Sequence, residues 1–87
     1  MAFVYEEPVD NPFWMGDVSV PLSIVWSREG TAVGVAEMQP CPQADSTCTR
    51  YSPGEPFDLA VETTGGVFTD AGIGVGDRVA VSETHPG

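Results

Sequence analysis

The chain has 87 residues, with thirteen Asp and Glu against three Arg and no Lys, for a formal charge of −10 and a pI near 4.1. Binding a phosphate backbone draws on clustered cations, and Arg28, Arg50 and Arg78 stand far apart in sequence, so no nucleic-acid partner is expected and anionic membranes are disfavoured. At 41% hydrophobic and 18% charged the composition is that of a folded chain, and the length fits a single domain over 1–87 with one modest core.

In chain order, AFVY at 2–5 places Phe3 and Tyr5 on one side of a short strand. Glu6 and Glu7 stand where a secretory leader would be basic and then apolar, so no leader is expected within this chain. Along 18–26, Val18, Val20, Leu22, Ile24 and Trp26 alternate with Ser19, Pro21 and Ser23, which predicts a half-buried strand. Pro21 has no N–H to give a ladder, so the strand lies on an edge there or breaks in two. It is also the most apolar stretch, and it falls short of the roughly 20 residues that span a bilayer, so no membrane insertion is expected. SREG at 27–30, with Gly30 free to take positive φ, turns the chain into TAVGVAEM and predicts a hairpin.

A long Pro- and Cys-bearing loop is expected at 39–56. Beyond it Phe57, Leu59 and Val61 alternate with Asp58, Ala60 and Glu62, and Val79 and Val81 alternate with Ala80 and Ser82. Both segments read as strands with one wet face. TTGGVFTDAGIG leaves room for one short helix near 66–71, with Gly72 as its left-handed stop. GIGVGD at 72–77 reads as a turn in which Gly74 and Gly76 supply backbone freedom and Asp77 supplies hydrogen bonds. Residues 84–87 are expected to fray. The fold class is therefore mostly β, a small and mainly antiparallel barrel-like or sandwich domain.

Cys41 and Cys48 share the Pro-flanked loop. They read first as a disulfide, with free thiols or a metal half-site as alternatives. Zinc wants about four ligands, and His85 is the only histidine, so no metal and no cofactor are expected. A paired cysteine count favours an oxidising, extracytoplasmic compartment, the cell envelope or the outside, over the cytoplasm.

An aromatic beside a short acid is the usual equipment for stacking on and hydrogen-bonding a sugar. Trp14 and Asp17, with Phe13 and Met15 beside them, form that pattern, against the plainer reading of core packing and a turn cap. Trp26 reads as core. The thirteen carboxylates match no calcium-loop pattern, and glycoside hydrolysis needs two acids about 5–10 Å apart, which strand spacing does not establish. There is no G-x-S-x-G, and His85 is the third residue from the end, in THPG, so no catalytic residue is assigned.

Taken together, the blocks MAFVY, PFWMGDVSVPLSIVW, EMQPCPQADSTCTRYSPGEPFDLAVET and GVFTDAGIGVGDRV resemble the family known as domain of unknown function 192. The resemblance covers nearly the whole chain and implies a small, mostly β, barrel-like domain with one short helix, often found behind a secretion or lipoprotein leader, with no established activity. Family members usually carry a further strand and a short helical segment before the position of Met1. Many also have Lys, then Asn or Asp, where Gly16 and Asp17 stand here, and an acid where Ser23 stands, so no role of that Lys or that acid passes to Gly16 or Ser23.

The resulting expectation is a non-catalytic domain that binds a small polar ligand, a carbohydrate or an envelope polymer, at Trp14, Asp17, Tyr51 and Glu62. The alternative is a structural or assembly module that homodimerises through an exposed edge strand. A carboxylate-dependent hydrolase ranks third, and would need acids such as Asp17, Glu37, Asp58 and Glu62 to share one cleft.

Overall fold

The period-two stretches of the sequence build one antiparallel sheet. In the computed structural model, which describes residues 1–42 and 47–80, β1 (Ala2–Val9), β6 (Phe57–Thr64), β3 (Leu22–Arg28) and β4 (Thr31–Met38) lie side by side in that order. Two short strands, β2 (Phe13–Trp14) and β5 (Arg50–Tyr51), pair as a separate antiparallel ribbon, and α1 (Val67–Asp70) is a single turn of helix. The fold is thus mostly antiparallel β, with a sheet and a small ribbon facing each other across the core.

Aromatic side chains fill that core. Trp26, Phe57, Ile24, Met38 and Ala60 of the sheet are buried together with Met15, which follows β2, while Phe13 and Tyr51 of the ribbon pack against them. Phe13 sits edge-on to Phe3 at 5.4 Å and to Trp26 at 6.2 Å. Burying each large side chain contributes roughly 1.5–3 kcal/mol, so these few rings carry much of the stability of so small a domain.

The β3–β4 hairpin forms as expected. Its turn places two consecutive residues in the left-handed region, Glu29 at φ 52° and Gly30 at φ 82°, the geometry that matches the twist of paired strands. The helix is shorter than the 66–71 span, and Gly72 at φ 73° follows its last turn, the left-handed stop expected there. In the 72–77 turn, Gly74 donates its N–H to the Asp77 carboxylate at 2.8 Å.

Four expectations need correction. The strand expected at 18–26 begins only at Leu22, with Val20 left 56% exposed: the Pro21 carbonyl still accepts the Gly65 N–H in register with β6, but proline has no N–H to return and the ladder stops there, the break its position allowed for. Nor does that strand have a wet face. Ser23, Val25 and Ser27 are as buried as Ile24 and Trp26, since β3 lies between β6 and β4 with α1 packed against it. On β6 the alternation breaks: Phe57 and Ala60 both reach the core, so Glu62, which pairs with Ile24, falls on the core side rather than the wet one. The 79–82 segment does not form a strand over its described part. Arg78 makes one isolated bridge with Thr31 and Val79 donates to the Gly30 carbonyl, while 81 and 82, like the tail at 84–87, lie outside the described residues. The 39–56 segment holds β5 within it.

Candidate functional site

Phe3 and Tyr5 project from the same side of β1, and Phe3 pairs with Ala60, two residues from Glu62 on β6. The chain then leaves β1, runs through Asn11 and Pro12, and returns as β2 so that Phe13 and Trp14 stand opposite. An open groove of about 350 Å³ lies between, lined by Phe3, Tyr5, Asn11, Pro12, Phe13, Trp14 and Glu62. Four aromatic side chains and Pro12 thus surround two polar ones, Asn11 and Glu62, of which Glu62 is the only acid.

Glu62 is half-buried, and this burial raises its pKa, opposed by the positive charge of the amino terminus. The Met1 amine donates to the Glu62 backbone carbonyl at 2.6 Å, joining the start of the chain to β6. Burial favours the neutral acid, so a carboxylate here gains from any cation that enters the groove.

Trp14 is 42% exposed, and its ring has two neighbours. Its six-membered ring lies so close over Gly16 that a Cβ at that position would come within 2.9 Å of it. The Arg50 guanidinium, across the β2–β5 pair, sits 5.1 Å from the ring centroid. Gly16 is therefore a packing requirement of Trp14, and Arg50 already holds a cation against that ring.

The other two expected ligand contacts lie elsewhere. Asp17 is exposed at φ 64° in a turn closed by the Val18 N–H on the Met15 carbonyl, and its side chain does not line the groove. Tyr51 pairs with Phe13 and packs on the core while its hydroxyl accepts the Gln39 N–H at 3.0 Å, which ties β5 to the end of β4. Trp14 and Glu62 come together in the groove. Phe3, Tyr5 and Asn11 complete it, and the matching side of Phe3 and Tyr5 was the one sequence signal that placed two of those three on one face.

Cys41 and Cys48 form a disulfide, with 5.8 Å between their α-carbons. Cys41 bridges to both Gly16 and Val18, and Arg50 follows Cys48 by two residues, so the bond joins the two chain segments that carry the ribbon.

The four acids weighed for hydrolysis are dispersed. Glu37 accepts hydrogen bonds from the Ser23 and Thr69 hydroxyls and from the Gly66 N–H, Asp58 accepts the Glu29 N–H at 3.1 Å, and Asp17 sits in its turn, leaving Glu62 alone of the four in the groove. Among the described residues, no group of three or more His, Cys, Asp or Glu side chains is placed to hold a metal ion. None of the described helices is long and apolar enough to cross a membrane. A second cavity, about 260 Å³, opens on the other side of the sheet between Val25, Val61, Phe68 and Ile73, with Arg78 its only charged lining side chain.

Sheet, ribbon and aromatic groove define a small all-β domain with one open concave surface. The chain belongs to the family DUF192, described as an uncharacterized ACR, whose model matches residues 1–81. Neither a curated protein nor a solved structure matches it.

Proposed function

We propose that this domain is a non-catalytic binding module whose groove receives a small polar ligand with an apolar face, a carbohydrate or a fragment of an envelope polymer. The observation that carries this reading is the convergence of Phe3, Tyr5, Phe13 and Trp14 on Asn11 and Glu62 around one open space of about 350 Å³. Small-ligand sites share that make-up: mostly apolar and aromatic walls with a few polar groups that fix orientation. The paired cysteines favour work outside the cytoplasm, where such polymers lie.

Titration calorimetry with a panel of cell-wall oligosaccharides, on the oxidised protein and on Trp14→Ala, tests it. Saturable binding lost in the variant is expected. No binding by any member, or binding that survives Trp14→Ala unchanged, overturns it.

The assembly reading has β1 as its surface, because this strand is an edge of the sheet and Val4 on it is 75% exposed. Against it stand the exposed Glu6, Glu7 and Pro8 and the irregular register between Val4 and Val9, all devices that discourage strand addition. Sedimentation across the micromolar range decides. A monomer throughout ends this second reading, and a dimer abolished by Val4→Pro establishes it.

A further inference from the structure

Among the side chains lining the groove Glu62 is the only acid and none is basic, and the rest of the wall is aromatic apart from Asn11 and Pro12; the positive amino terminus, outside that lining, offsets part of the Glu62 charge. Aromatic rings attract cations through the negative potential of their faces, and a half-desolvated carboxylate adds a full negative charge beside them. The whole chain, at −10, raises the local concentration of cations over neutral or anionic solutes. Trp14 already engages a cation, the Arg50 guanidinium at 5.1 Å, although Arg50 does not itself line the groove.

We infer that the groove selects a small organic ammonium ion, free or carried on a sugar, with its charge held between the Glu62 carboxylate and the rings of Phe3, Tyr5, Phe13 and Trp14. The inference rests on the groove being a ligand site and names the charge of what it takes. A neutral sugar can stack on the same rings, but it gains nothing from the carboxylate's charge. An anion would meet that carboxylate and the protein's net field together.

Two matched pairs of probes separate charge from shape: choline against its uncharged carbon isostere dimethylbutanol, and glucosamine against glucose. Each is titrated into the oxidised protein while backbone amide shifts are followed, and again into Glu62→Gln, which keeps the side-chain shape and removes the charge. The expected result is shifts at Phe3, Phe13, Trp14 and Glu62 with choline and glucosamine, with affinity about tenfold or more above that of the neutral partners and a similar loss in the variant. Equal shifts from the neutral partners, or choline binding unchanged in Glu62→Gln, overturn the selection for charge and leave the groove as a binding site. No shifts from any probe, nor from the oligosaccharides above, overturn both.

Discussion

Glu37 shows how much one carboxylate does in a domain of this size. From the sheet's edge strand it accepts the Ser23 and Thr69 hydroxyls and the Gly66 N–H, so one side chain joins β4, β3 and the start of α1. The Ser23 hydroxyl first, then the Gly66 N–H, hold its pKa below the usual carboxylate value against the opposing effect of burial. A carboxylate held low in the folded state binds protons less readily there than in the unfolded chain. Its stabilisation is therefore complete above pH 4.5 and lost as pH falls through the lowered value. Glu37→Gln is expected to cost about 1–2 kcal/mol at neutral pH and to flatten the acid limb of the stability curve, both read by urea melts at stepped pH. Ser27 is the opposite case. Its hydroxyl is buried with no hydrogen-bond partner among the described residues, so Ser27→Ala is expected to leave stability unchanged or raise it by up to about 1 kcal/mol in the same melts. Neither role was legible in sequence, because Ser23 falls on the polar side of an alternating strand and Ser27 reads as the start of the SREG turn. Only the covering of β3 from both sides reverses that.

Among the elements, the β3–β4 hairpin was the most legible, since its alternation and the Gly30 turn agree. Glu29 is its imperfect part. At φ 52° it occupies a conformation that Asn adopts more readily, and its only described bond there is through its backbone N–H, to Asp58. Glu29→Asn is expected to raise the melting midpoint, by about 0.5–1 kcal/mol in stability, measured by thermal denaturation. The ribbon was not legible. Two-residue strands carry no periodic signal, and β5 lies inside what composition marks as loop. The disulfide supplies what its two pairs lack. Closing a loop of this length stabilises by about 2.5 kcal/mol on the chain-entropy model. Reduction is expected to remove an amount of that order from global stability, with the amides of Phe13, Trp14, Arg50 and Tyr51 losing hydrogen-exchange protection first. Uniform loss across the sheet would contradict the local role given to the bond.

At the scale of the whole molecule, the sequence specified the class and the aromatic content of the core but not which acid meets the aromatics. Trp14 stands out in sequence as an aromatic beside a short acid. Asp17 stands beside it in sequence but sits in a left-handed turn outside the groove lining, and the acid that lines the groove with Trp14 is Glu62 of β6, nearly fifty residues on. Strict alternation from Phe57 puts Glu62 in water. The break that lets both Phe57 and Ala60 into the core brings Glu62 to the groove, and no local sequence signal marks it. The same geometry leaves the groove open at one side of the sheet while the edge strand beside it is guarded by Glu6, Glu7 and Pro8, an arrangement suited to a small ligand more than to a further strand.

The central claim, that this groove is where the domain binds, is tested most directly by mapping backbone amide shifts across the oxidised protein against one panel of sugars, cell-wall fragments and small ammonium ions. The account predicts that at least one class moves Phe3, Asn11, Phe13, Trp14 and Glu62 together, saturably, with Asp17 and the cavity around Phe68 and Ile73 still. Shifts centred on that second cavity, or none at any site, would contradict it.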